Sequence, residues 1–232
     1  TLLNVTAIAM AGRVAMQLQQ YSLLLLQLAC TGLLWVYSTT YKRKYVTGNL
    51  IVATLTALTV LVLYAYEPRM RALSFLSADV WILGIFAWFA FMLTWMREIV
   101  KDMEDMEGDE ANGCITMPIS RGLGYATNFT VTLSVIALIP LCIAGIAMLQ
   151  RGHMAAGVYV LALLALPLGI WAMWLRRGPA QPQHYHRASR SLKIIMVSGI
   201  CSLLVYKIQK DNRATNHIGV SVATPQAAHG NG

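Results

Sequence analysis

Seven of the ten acidic residues lie between positions 98 and 110, in the run Arg97-Glu98-Ile99-Val100-Lys101-Asp102-Met103-Glu104-Asp105-Met106-Glu107-Gly108-Asp109-Glu110. No Asp or Glu precedes Glu67. At 100° per residue, Glu98, Asp102, Asp105 and Asp109 fall within about 60° of one another on a helix. Carboxylates on so narrow a stripe repel one another. A compensating charge is therefore expected, from basic side chains or from bound divalent metal. Carboxylates with room for water suit Mg²⁺, which commonly also takes phosphate oxygens of a substrate. An EF-hand does not fit, because the fifth position counted from Asp102 is Met106 and the glycine falls at the seventh. The plainer alternative is a solvated acidic turn that anchors two spans.

A second constellation, Tyr37-Ser38-Thr39-Thr40-Tyr41-Lys42-Arg43-Lys44, is followed by Gly48-Asn49-Leu50-Ile51-Val52-Ala53. Adjacent cations facing a carboxylate–metal cluster could hold an anionic substrate group between them. Taken alone, Lys42–Lys44 also reads as an anchor of the kind that holds membrane helices in orientation.

The elements that must position these groups are helices in a bilayer. Only 12% of the 232 residues are charged and 57% are hydrophobic, with a mean hydropathy of +0.56. Soluble domains carry about 25% charged residues. The balance excludes a soluble enzyme, a secreted disulfide scaffold and a nucleic-acid-binding domain. Long uncharged runs and the lack of sustained alternation predict an all-α multipass transmembrane bundle and exclude a β-barrel. Cys30, Cys114, Cys142 and Cys201 have no C-x-x-C spacing and suggest neither zinc nor disulfides.

Seven apolar segments are expected: Leu2 to about Leu18 (interrupted by Arg13), Ser22–Ser38, Gly48–Tyr66, Phe75–Trp95, Ala126–Leu149, Ala155–Leu175 and Leu192–Tyr206. Pro140 and Pro167 lie inside spans, where neighbouring helices can re-satisfy the backbone. Residues 1–210 form the membrane domain, and the polar segment 211–232 is expected to be a disordered tail. Lys42, Arg43, Lys44, Arg97, Lys101, Arg121, Arg176, Arg177, Arg187, Arg190 and Lys193 gather on one side. Arg13, Arg69, Arg71, Arg151, Lys207, Lys210 and Arg213 gather on the other. The richer side is expected to be cytoplasmic, and it carries both constellations.

Taken together, Tyr-Ser-x-x-x-Lys-Arg, Gly-Asn-x-x-Val-Ala, Arg-Glu-x-x-Lys-Asp-x-Glu-Asp-x-x-Gly-Asp and Gly-Cys-x-Thr-x-Pro resemble the UbiA superfamily of intramembrane prenyltransferases. The likeness is strongest to its geranylgeranylglyceryl-phosphate geranylgeranyltransferase branch. It rests on residues 20–120. The resemblance implies nine helices around a cavity open to the cytoplasmic face and to lipid, in a prokaryotic cytoplasmic membrane. It implies Mg²⁺-dependent ionisation of a prenyl diphosphate and alkylation of an aromatic or lipid acceptor by the allylic cation. Asp102, Asp105 and Asp109 would hold metal. Lys42 and Arg43 would bind diphosphate, and Tyr37 would face the cation. Asn49 and Lys101 would support the polar site.

The resembled family also has an upstream Asn-Asp-x-x-Asp-x-x-x-Asp motif, which this sequence lacks. The expectation is a chain without its N-terminal part, impaired in transfer by itself. The competing readings are a degenerate, non-catalytic relative and a cation-binding transporter. A transporter should carry polar residues through several spans, and few are present. Trp81, Trp88 and Trp95, seven residues apart, are read as packing and interface anchors. The pair His184 and His186 is set aside as a metal site for want of a third ligand.

Overall fold

The computed structural model describes residues 2–41, 46–74 and 77–222, with side chains omitted at 71, 78 and 213–222. Helix α1 is Leu2–Gln17, and α2 is Tyr21–Val36, extended by a π-helical turn at Tyr37–Tyr41. Helix α3 spans Thr47–Tyr66, α4 is the single turn Pro68–Arg71, and α5 is Ala78–Glu104. Two short helices, α6 (Met106–Ala111) and α7 (Met117–Arg121), lead into α8 (Leu123–Gln150). Helix α9 (Met154–Val160) passes through a π turn, Leu161–Ala165, into α10 (Leu166–Arg177), and α11 is Pro182–Val222.

Among the described residues, six helices are long and apolar enough to cross a membrane: Tyr21–Tyr41, Thr47–Tyr66, Asp79–Glu104, Leu123–Gln150, Met154–Arg177 and Pro182–Asn212. The first of the seven expected segments forms α1, a helix of 16 residues that is not among these six. It packs against α2 as a hairpin partner. The tail expected from residue 211 is helical as far as Val222; residues 223–232 lie outside the described residues. Between Pro182 and Val222 the only glycines are Gly199 and Gly219 and there is no further proline, so little in the sequence interrupts α11.

The tightly packed core lies in the C-terminal half. Leu93, Met96, Ile99 and Val100 of α5 are fully buried with Leu164 of the π turn, Leu168 and Leu175 of α10 and Leu192 of α11. Trp171 Nε1 donates to the Ala188 carbonyl at 3.0 Å and pins α10 to α11. By contrast α1–α3 bury only Ala15, Leu23, Gly48 and Ala53, and Leu3, Leu25, Trp35 and Leu63 face outward, as lipid-facing side chains do.

The crossing of α8 and α9 depends on small residues. A Cβ at Gly157 would meet the Leu149 side chain at 2.7 Å and the Gly145 carbonyl oxygen at 2.9 Å. Absence of side chains there lets the backbones approach, the usual device of membrane helix pairs. The π turn at Leu161–Ala165 directly precedes Pro167. Proline removes an N–H and crowds the carbonyl four residues back, and a widened turn relieves both.

Helices α5 and α11 run antiparallel and are tied at both ends. At one end His186 Nδ1 lies 2.6 Å from Glu104 Oε1. At the other, Lys210 Nζ donates to both Asp79 oxygens, at 3.0 and 3.2 Å. The two pairs thus place Lys210 and the acidic run at opposite ends of α5.

Candidate active site

The acidic run sits where α5 leaves the core. Val100 and Met103 are buried, so the residues between and beyond them turn outward: Asp102 and Asp109 are half-buried and Asp105 is exposed. The helix is not continuous through the run. It breaks at Asp105, with φ −92° and ψ 7°, and resumes as α6. The break is slight, because the Asp105 N–H still reaches the Lys101 carbonyl and the Asp109 N–H the Asp105 carbonyl, each at 2.9 Å. The stripe of carboxylates is thus kept, with a bend at its centre. Gly113, at φ 68°, ends α6 and turns the chain toward α7.

Asn49 is brought to this run from α3. Its Nδ2 donates to Asp102 Oδ2 at 2.7 Å, across 53 residues of sequence. The contact depends on how α3 begins. Gly48 is buried against the π turn, and a Cβ there would lie 2.7 Å from the Tyr41 carbonyl oxygen and 3.5 Å from the Tyr37 ring. Glycine allows this approach and sets both Asn49 and Tyr37 beside α5. Tyr37 is half-buried and interacts electrostatically with Glu98 and Asp102. Glu98 pairs with its neighbour Arg97.

Tyr37, Asn49, Glu98 and Asp102 therefore form one polar cluster. Asp105 and Asp109 join it through space, since both act electrostatically on Asp102. Burial, and then the neighbouring charge of Asp105, raises the Asp109 carboxyl above its ordinary range; the exposed Lys101 opposes that rise. The sequence-based choices Lys42 and Arg43 lie outside the described residues.

Two participants were not chosen from the sequence. Glu98 was placed on the stripe but given no role. His186 was set aside, yet it holds Glu104, the residue before the bend, from 82 positions away. No local pattern could have joined that pair. His184 is buried, at 4.3 Å from the Trp174 ring, and takes a packing role.

Among the described residues, no three His, Cys, Asp or Glu side chains converge closely enough to hold an ion by themselves. Within those residues Asp102, Asp105 and Asp109 also have no cation within 4 Å. Gathered carboxylates of this kind are a donor set that suits a hard divalent cation. Mg²⁺ keeps several waters and is often bound by one or two carboxylates plus substrate phosphate. The donor chemistry fits that mode, not a closed all-protein cage.

Residues 1–195 match the UbiA prenyltransferase family. The chain belongs to that family. The digeranylgeranylglyceryl phosphate synthase of Methanosphaera stadtmanae is 30% identical over 173 residues, covering 75% of this chain and 58% of that protein. The synthase of the same name from Methanopyrus kandleri is 32% identical, over 74% of this chain and 58% of that one. That of Saccharolobus solfataricus is 30% identical, over 80% and 60% respectively. The chain thus spans about three fifths of the length of these curated relatives. A solved structure from a study of digeranylgeranylglyceryl phosphate synthase in membranes matches with a TM-score of 0.64 at 22% identity. The match covers 90% of this chain and 66% of that one. That likeness shows that the all-α membrane bundle shares the fold of that structure.

Proposed function

We propose that this UbiA-family chain is part of a transferase that moves a prenyl group, as geranylgeranyl, from its diphosphate to geranylgeranylglyceryl phosphate, a lipid acceptor, inside the membrane. The observation that carries the reading is the 2.7 Å bond from Asn49 to Asp102, with Tyr37 beside it. It unites the Gly-Asn and acidic motifs at one end of the bundle. The names of the relatives supply the product class.

In this reading Asp102, Asp105 and Asp109 hold Mg²⁺, with Lys101 balancing their charge. When bound, the metal neutralises diphosphate oxygens and so favours departure of the leaving group. Asn49 fixes the Asp102 carboxylate in one orientation, so little reorganisation is needed when charge develops. Lys42 and Arg43 add fixed positive charge on the diphosphate. Tyr37 presents its ring to the allylic cation, whose charge the ring face attracts. The surrounding helices exclude water that would otherwise capture the cation. The side chains Trp88, Phe91, Trp95 and Phe129 form a run of ring contacts at 6.3, 5.6 and 5.6 Å between α5 and α8, an apolar aromatic wall leading toward the acidic end. The site faces the cytoplasm of a prokaryotic cell, on the side richer in Lys and Arg.

The test is transfer of labelled geranylgeranyl to the glyceryl-phosphate lipid in membranes carrying the protein, with and without Mg²⁺, for wild type and Asp102→Ala. Mg²⁺-dependent product that the substitution abolishes is expected. Prenyl diphosphate binding that is absent in wild type, or product formation that ignores both metal and substitution, overturns the proposal.

A further inference from the structure

At the end of the bundle remote from the acidic run, a cavity of about 600 Å³ lies between α5, α8 and α11. Its walls are Trp81, Ile82 and Ile85 of α5 and Ile143, Ala144, Ala147 and Met148 of α8. Its mouth carries Arg151, His153 and Tyr206. The rise along α5 from Trp81 to Asp102 is about 32 Å, the thickness of a hydrocarbon core of ~30 Å. The cavity and the candidate active site therefore lie at opposite membrane faces.

The shape is amphipathic in one direction. On α8, the step from Ile143 to Arg151 is about 12 Å, from aliphatic wall to guanidinium. Trp81 is 60% exposed at the same level, as an interfacial aromatic should be. The mouth is held in place: the His153 ring lies 5.3 Å from that of Tyr206, and Gln209 Oε1 accepts the Ala156 N–H at 3.0 Å. At this end of the bundle the Asp79 carboxylate is held by Lys210. A volume of this size lies within the usual range for ligand sites, about 300–1,000 Å³. Opening toward the bilayer, it would be filled by hydrocarbon, since an empty apolar groove forfeits dispersion contacts along its lining.

We propose that this groove is a binding site for an anionic phospholipid of the leaflet opposite the active site. An acyl chain lies between α5 and α8, and the phosphate meets Arg151 at the mouth. Arginine is the suitable residue, because its guanidinium can pair with phosphate through two parallel hydrogen bonds. The proposal is independent of the prenyl-transfer reading and survives its failure.

The experiment is native mass spectrometry of the protein exchanged into mixed micelles with roughly equal phosphatidylglycerol and phosphatidylcholine. Wild type should retain a single phosphatidylglycerol. Arg151→Gln should weaken retention about fivefold, the value of one surface cation toward anionic lipid, and Arg151→Lys should restore part of it. Ala147→Phe, which fills the groove, should remove the retained lipid while thermal melting shows the fold intact. Should Ala147→Phe not fold, the Arg151 pair decides. Equal retention of the two lipids, or retention unchanged in Arg151→Gln, overturns the proposal.

Discussion

Removing the Asn49 amide tests the site most directly. In Asn49→Ala, Asp102 loses a short donor at 2.7 Å, and both residues are half-buried. A hydrogen bond to a charged partner contributes about 1.5–3 kcal/mol, roughly one to two decades in a rate or binding constant. If the proposed function holds, the loss should appear in the rate of prenyl transfer and in Mg²⁺-dependent diphosphate affinity, because the amide would orient the carboxylate proposed to hold the metal. It should be small in thermal stability, since neither side chain belongs to the packed core. A double-mutant cycle with Asp102→Asn separates the bond from general damage: the effects of the two changes should be far from additive. Additive losses, or transfer within twofold of wild type for Asn49→Ala, would refute the claim that this bond positions the metal-binding carboxylate.

Four other outcomes are expected. Replacing Asp102, Asp105 and Asp109 together by Ala should abolish Mg²⁺-dependent diphosphate binding, measured by calorimetry; intact binding would reduce the run to a solvated anchor. His186→Ala should weaken Mg²⁺ affinity by no more than about fivefold, the scale of an exposed ion pair, while His186→Gln, which keeps a hydrogen bond to Glu104, should restore it. Gly157→Ala should cost about 1–3 kcal/mol in unfolding measurements, as overpacking does, while Gly84→Ala, with nothing within 4 Å of its Cβ, should be nearly neutral. In EDTA, Asp109 should make stability fall slightly as pH rises through its titration, because a raised carboxyl pKa means the folded state binds more protons than the unfolded one; Mg²⁺ should flatten that slope, and a slope unchanged by metal would count against Asp109 as a ligand.

Composition and motif order revealed the fold class and pointed to the residues of the candidate site. Hydropathy sufficed for the spans because a bilayer admits few solutions for backbone polar groups. The first expected segment forms the 16-residue helix α1, and the other six coincide with the described helices long and apolar enough to cross a membrane. Helical phase put Glu98, Asp102, Asp105 and Asp109 on one face, but it assumed a straight helix and could not show the bend at Asp105. The partner of Asp102 was named only as a supporting residue. Its contact depends on Gly48 touching a π-helical turn, which is a tertiary fact without a periodic signature. Glu104 with His186, and Asp79 with Lys210, are separated by 82 and 131 positions, and nothing short of the packed bundle brings them together.

Those two distant pairs explain how α5 can serve both membrane faces. The helix is 27 residues long, and its buried stretch from Phe89 to Met103 is what packs into the C-terminal core. Packing alone fixes its rotation there but leaves its ends free to fray. At the acidic end α5 is exposed on one side and carries mutually repelling carboxylates, a combination that favours unwinding. His186 opposes this by binding Glu104 from α11, immediately before the chain bends. At the far end Lys210 holds Asp79, and the lining of the 600 Å³ groove begins two residues further on, at Trp81. Each pair therefore secures an α5 terminus beside a proposed binding surface, leaving the middle of the helix to hydrophobic packing. The expectation that follows is directional: breaking the Glu104 pair should alter metal and diphosphate binding without affecting lipid retention, and breaking the Asp79 pair should do the reverse.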